Sequence, residues 1–120
     1  MYESAKWLVE NLAKVPVRVI PCIARRLPES GVPDGLHAGF HRSISRAVST
    51  FQLALRSRGL GSVLTTLHAN REKEAADLLG IPFDRFTQVA LLPRAWTKGI
   101  DFKPAARPPA NSIASFDRRS

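Results

Sequence analysis

The chain has 120 residues, of which 44% are hydrophobic and 23% are charged, so its length and composition indicate one globular domain and exclude a wholly disordered protein. No apolar run approaches the ~20 residues that cross a bilayer, and the amino terminus lacks a basic segment followed by an apolar one, so we expect a cytoplasmic protein without a membrane partner. The net charge of +8 is typical of nucleic-acid binders, but the arginines fall in scattered pairs without a basic run or interleaved aromatic residues, which predicts no nucleic-acid partner.

The first forty residues are predicted to form a helix, a strand and a loop. Apolar residues recur at helical spacing over 4–14, and Pro16 ends that helix. The stretch 16–22 is β-branched and almost continuously apolar, which predicts a strand buried on both faces. Residues 24–41 contain prolines and glycines and show neither period, so they are predicted to form a loop.

The longest predicted helix covers residues 43–58. Its apolar residues follow one helical stripe and are predicted to lie in the core or at a subunit interface: Ile44, Ala47, Val48, Phe51 and Leu55. Gly59 ends the helix at the position where a left-handed residue is expected.

The second half of the chain is predicted to contain two further strands, at 61–67 and 86–93, that join the first strand in one sheet. Between them, Asn70 is predicted to cap a short helix that Gly80 and Pro82 end. The apolar side of that helix consists of Ala75, Ala76, Leu78 and Leu79. From about residue 98 the chain becomes proline-rich and is predicted to be an extended arm. The fold class is therefore α+β.

Catalytic and metal-binding motifs are hard to find in this sequence. Cys22 has no Cys or His neighbour at metal-ligand spacing and follows an apolar run, which favours a buried thiol over a reactive one. The three histidines are not predicted to share one helix at i, i+4 spacing, so we predict no metal site. The residues alone identify no catalytic group.

Six segments nevertheless follow one another in an order and spacing found in a known family. They are Val15–Cys22, Ser43–Arg58, Gly59-Leu-Gly-Ser62, Leu78-Leu-Gly-Ile-Pro82, Gln88–Pro93 and Arg107-Pro108. Over about residues 4–117 the chain resembles the carboxy-terminal portion of the nitroreductase family of flavin oxidoreductases. The glycine motifs are short, and their joint order carries the resemblance.

The resemblance implies a mixed sheet flanked by helices, with residues 1–120 forming part of one nitroreductase-like domain that is incomplete at its amino-terminal side. It implies a homodimer, or pairing with a related subunit, that binds flavin mononucleotide (FMN) at the interface. Its reaction would be hydride transfer from NAD(P)H through FMN to nitroaromatics or quinones. By the same resemblance, Thr65, Thr66 and Leu67 supply backbone groups near the flavin ring, and Arg107 binds the phosphate.

The sequence also departs from the family pattern. Family members have an arginine- and serine-rich segment before the first strand, and this chain lacks one. Arg46 stands where many relatives have proline, and Ala105 stands where many have a second basic residue near the phosphate. We therefore expect a truncated or degenerate family member that binds FMN weakly. The alternative is a non-enzymatic interaction module that docks on a partner subunit.

Overall fold

The computed structural model describes residues 2–99, 101–115 and 117. Its helices are α1 (Tyr2–Asn11), α2 (Asp34–Arg56) and α3 (Glu72–Leu79). Its strands are β1 (Val17–Val19), β2 (Cys22–Ile23), β3 (Leu60–Ser62), β4 (Thr87–Gln88) and β5 (Leu92–Trp96). Short 3-10 helices cover Leu12–Lys14, Leu67–Arg71 and Ala110–Ser112. In the described part of the chain, no helix is both long and apolar enough to cross a membrane.

The strands form two small sheets. β5 lies between β1 and β3 in a three-stranded sheet, and β2 pairs with β4 in a two-stranded one. Parts of all three predicted strand regions meet in the three-stranded sheet, so the predicted single sheet is confirmed only in part. Residues 87–88 pair in the second sheet, and β5 continues beyond the predicted end at Pro93 to Trp96. Every pairing between the described strands is antiparallel, however, so the mixed sheet implied by the resemblance is absent from this part of the chain.

The strands predicted at 16–22 and 86–93 are each interrupted. Val19 pairs with Leu92 and Cys22 pairs with Gln88, so two intervening residues on the first strand face three on the second. An extra residue of this kind breaks the ladder and bends the strand. The continuous apolar run in the sequence therefore becomes two short strands, β1 and β2.

Helix α2 packs its predicted stripe against the sheet. Val48 joins Ala90 and Leu92 in the buried core, and Ile44 and Phe51 pack against that cluster. Leu55 is also buried, whereas Ala47 is exposed. The prediction of a core-facing stripe is confirmed for four of its five residues.

The start of α2 corrects the predicted loop at 24–41. The helix begins at Asp34, directly after Pro33, so residues 34–41 are helical. Gly35 and Gly39 each cost a helix up to about 1 kcal/mol, and neither has another residue close to the position of an added Cβ. The two glycines favour a loop in the sequence, but helix α2 includes both of them.

Helix α3 begins differently from the prediction and ends as predicted. Asn70 lies inside the preceding 3-10 helix, and the residue at the cap position is Arg71, whose side chain makes no capping hydrogen bond. At the other end Gly80 adopts a left-handed conformation with φ of 67°, which glycine accepts at little cost. Ala76 is fully buried, but Leu78 and Leu79 point outward with exposed fractions of 86% and 55%.

The chain exposes far more surface than a compact monomer of its size. Its accessible surface is 10019 Å², whereas a folded monomer of this mass exposes about 6,400 Å². Its radius of gyration is 17.5 Å, against about 14 Å for a compact chain of this length. Large apolar side chains, among them Val9, Leu67 and Leu78, account for part of the excess.

Candidate functional site

The predicted flavin-contacting residues lie where the sheet pairing of the third strand region ends. Thr65 forms an isolated bridge with Leu91 through two backbone hydrogen bonds of 3.0 and 2.8 Å, in the same register as β3 and β5. Beyond Thr65 the pairing stops. Leu67 then begins a 3-10 helix in which the Thr66 carbonyl accepts from the Ala69 N–H at 2.9 Å.

This end of the strand leaves backbone donors available. The Leu67 N–H makes only a long contact of 3.4 Å to the Thr65 hydroxyl. The Thr66 N–H donates to no other residue in the described ranges. Thr66 and Leu67 are also exposed to solvent. Two consecutive N–H groups can therefore donate to an external acceptor, because neither has a strong partner among the described residues.

Leu67 also borders an apolar hollow beside α1. The hollow has a volume of about 330 Å³, and its other lining residues are Ala5, Lys6, Val9 and Glu10. A larger apolar groove of about 660 Å³ adjoins it and shares Val9, and its other walls include Leu78 and Leu79 of α3. We call the two together the α1–α3 groove. It offers a broad apolar surface next to the free N–H groups.

Arg107, the predicted phosphate ligand, lies in the extended arm. Its side chain is exposed and makes no hydrogen bond or ion pair with the described residues. The arm contacts its own chain at Phe102, whose ring lies 4.1 Å from the Arg56 guanidinium carbon. Arg107 does not line the α1–α3 groove. Thr65, Thr66 and Leu67 thus lie together where the sheet pairing ends, and Arg107 makes no contact with them.

Beside this edge lies a polar cluster built on Arg26 and Glu72. The Arg26 guanidinium makes two hydrogen bonds to the Glu72 carboxylate, at 2.8 and 3.2 Å, and stacks 3.7 Å from the centre of the Phe83 ring. It also donates to the Phe83 carbonyl and, at 2.7 Å, to the Phe86 carbonyl. One residue thereby joins the loop after β2 to α3 and to the segment before β4.

Glu72 receives further hydrogen bonds from β4. The Gln88 N–H donates to its carboxylate at 2.7 Å, and the Gln88 side-chain amide donates to its backbone carbonyl at 2.9 Å. Burial alone raises the pKa of Glu72, but the hydrogen bonds from Arg26 and Gln88 and the Arg26 charge outweigh it and hold that pKa below its ordinary value. The carboxylate is therefore kept ionised and fully engaged in structural contacts.

Burial shifts the pKa of two neighbouring groups in the direction that favours their neutral forms. Burial raises the pKa of the Cys22 thiol, and the negative charge of Glu72 adds to the effect, which fits the predicted unreactive thiol. Burial lowers the pKa of His68, with Glu72 acting in the opposite direction. Both ring nitrogens of His68 are buried without a hydrogen-bond partner among the described residues.

Comparison with known proteins supports the predicted fold. The crystal structure of the nitroreductase-like family protein from Bacillus cereus matches this chain with a TM-score of 0.65 and 15% sequence identity. The fold is nitroreductase-like. The match covers 97% of this chain and 59% of that protein, so this chain spans little more than half the length of its structural neighbour. No protein-family model matches the chain, and no curated protein matches it in sequence.

Two features of this region were not predicted from the sequence. The Arg26–Glu72 pair joins residues far apart in the chain, and no local spacing signals such a contact. The second feature is a histidine pair: because α2 begins at Asp34, His37 and His41 do lie one turn apart on one helix, contrary to the prediction. The i, i+4 spacing of His37 and His41 is present in the sequence. It was not recognised because residues 24–41 were predicted to form a loop.

Proposed function

We propose that this chain is a degenerate nitroreductase-type flavoprotein whose ancestral reaction is hydride transfer from NAD(P)H through FMN to nitroaromatics or quinones. The observation that carries the proposal is the nitroreductase-like fold over 97% of the chain. The exposed N–H groups of Thr66 and Leu67 at the end of the sheet pairing add local support.

The residues present fit part of an FMN site. The Thr66 and Leu67 N–H groups would donate to acceptor atoms at the edge of the ring, and the neighbouring apolar groove would exclude water from it. FMN, when bound, accepts a hydride and passes the electrons on. Arg107 would bind the phosphate, since a guanidinium forms two parallel hydrogen bonds with phosphate oxygens.

We expect this chain alone to bind FMN weakly. Arg107 is the one basic residue that the resemblance assigns to the phosphate, and Ala105 supplies no charge where many relatives have a second cation. A charge-assisted hydrogen bond contributes about 1.5–3 kcal/mol, which corresponds to roughly 10- to 150-fold in affinity. A single such anchor and two backbone donors hold a phosphorylated cofactor loosely.

The test is a titration of FMN with the purified chain, followed by quenching of flavin fluorescence. We expect a saturable signal with a dissociation constant well above 1 μM, lost in Arg107→Ala and unchanged in Lys103→Ala, which removes an equally exposed arm cation. A submicromolar constant would contradict the expected weakness. No saturation at millimolar FMN would contradict the cofactor site itself.

We further propose that the chain pairs with a second copy or a related subunit. The alternative function, a non-enzymatic interaction module, also requires such a partner. The excess surface supports pairing: it is roughly 3,600 Å² per chain, of which the exposed arm at 101–115 supplies a part, and each partner of an obligate pair buries ~1,000–2,500 Å². The exposed leucines of α3, which line the α1–α3 groove, are the strongest candidates for the covered surface.

Light scattering after size-exclusion chromatography tests the pairing. We expect a mass above 13.2 kDa for the chain, and a shift toward the monomer in the double variant Leu78→Asp with Leu79→Asp. Leu53→Asp is the matched control, because Leu53 is an exposed leucine on α2 that lies outside the groove. A monomeric wild type would contradict pairing. An assembly that shows no saturable quenching of flavin fluorescence at millimolar FMN would favour the interaction module over the enzyme.

A further inference from the structure

A second cavity lies between the first half of α2 and the loop after β2, and Arg26 and Glu72 form part of its lining. Its volume is about 250 Å³, and Leu27, Pro28 and Phe40 form its apolar walls. His37 and His41 both line it. They lie four positions apart on one continuous helix, so their side chains emerge one above the other on the same face.

The charges around this cavity favour a cation. Its charged lining residues are Arg26, Glu29 and Glu72, which leaves a net charge of −1 in a chain whose total is +8. The Arg26 charge is already paired with Glu72. Glu29 makes no ion pair or side-chain hydrogen bond within the described ranges, so its charge is uncompensated there. The histidines therefore face a locally acidic hollow.

We propose that His37 and His41 form a two-imidazole binding site for a divalent transition-metal cation of the Zn²⁺ class. Neutral imidazole nitrogens are common ligands of these ions, and two histidines one helical turn apart can bind the same ion. No group of three or more metal-ligating side chains occurs in the described residues. The protein therefore supplies two ligands, and water fills the other coordination positions. This site is independent of the proposed flavin function.

Metal binding would also stabilise the segment that carries it. The first turns of α2 contain Gly35 and Gly39, and Pro33 at the cap position offers no side-chain hydrogen bond. A cation bound to both imidazoles cross-links two successive turns of this weak part of the helix. Because binding to the folded state alone stabilises it, the unfolding temperature should rise with metal concentration.

Isothermal titration calorimetry of the full untagged chain with ZnCl₂ tests the site. We expect one equivalent to bind with a dissociation constant below about 100 μM. His37→Ala and His41→Ala should each lower the affinity at least tenfold, while circular dichroism shows the helix content retained.

The matched control is the double variant His41→Ala with Arg42→His, which keeps three histidines but moves one to i+5, on a different face of α2. It should bind as poorly as His41→Ala alone. Equal binding by this control and the wild type would mean an adventitious ion held by histidine content, and would overturn the proposal. Absence of saturable binding to the wild type would overturn it as well.

Discussion

The two sides of this molecule contrast sharply in how they treat their apolar residues. On the α2 side the helical stripe is met by the sheet, and Val48 and Leu92 retain only 5% and 1% of their exposure. On the α1–α3 side the leucines that line the groove remain open, and Leu78 is 86% exposed. Helices α2 and α3 both carry apolar residues. An apolar pattern therefore predicts that a helix face will be buried, but it does not identify the surface that covers that face.

Truncating Leu92 should cause the largest loss of unfolding free energy, and it tests the contrast between the two sides most directly. We expect Leu92→Ala to cost about 2–5 kcal/mol, since a core leucine loses both transfer free energy and packing. Leu78→Ala should cost less than about 0.5 kcal/mol at low protein concentration, as exposed substitutions do. Urea unfolding measures both. Equal costs at every concentration would contradict the contrast, and a cost for Leu78→Ala that grows with concentration would mean that a partner covers this residue.

Removing Arg26 should have the next largest effect, because the polar cluster connects the two sides. Arg26→Ala leaves the Glu72 carboxylate without its cation, and the pair retains only 24% and 17% of its side-chain exposure. We expect a loss of about 2–3 kcal/mol, somewhat below the cost of breaking a fully buried pair.

The control for Arg26 is Arg71→Ala, which breaks an ion pair with Glu74 whose side chains are 77% and 71% exposed. Its loss should fall below about 0.5 kcal/mol. The urea midpoints of the two variants give the comparison. Similar losses for both would mean that the Arg26–Glu72 contact contributes no more than a surface pair.

His68 should give the smallest effect, seen as a change with pH. Burial lowers its pKa from the ordinary value of 6.5, so the folded state favours the neutral ring and the unfolded chain takes up the proton first. Stability should therefore fall as the pH is lowered from about 7.5 to about 5.5, and His68→Ala should lose less over that range. Urea midpoints at the two pH values measure the difference. The same loss in both proteins would refute a buried neutral His68.

Most of the fold could be predicted because its elements have local signals. The α2 stripe, the left-handed glycine after α3 and the three strand regions each follow from residues within a short window. The errors arose where local signals were weak or misleading. Gly35 and Gly39 made the first turns of α2 look like a loop, and the apolar run over 16–22 did not reveal the interruption between β1 and β2.

The candidate site was less predictable than the fold. Thr65, Thr66 and Leu67 were assigned by resemblance, and the backbone donors found there agree with the assigned role without testing it. The Arg26–Glu72 cluster was not predicted, because its partners are distant in sequence and meet only after α3 and β4 have packed.

The sequence by itself determined which segments are helical or extended and which of their faces are apolar, because those properties depend on residues three or four positions apart in a helix and two apart in a strand. The tertiary structure decided what each face meets. It covered the α2 stripe with the sheet, left the α1–α3 groove open, and brought Arg26 onto Glu72. Such contacts depend on register and on the packing of distant segments, and no local pattern in the chain encodes either one.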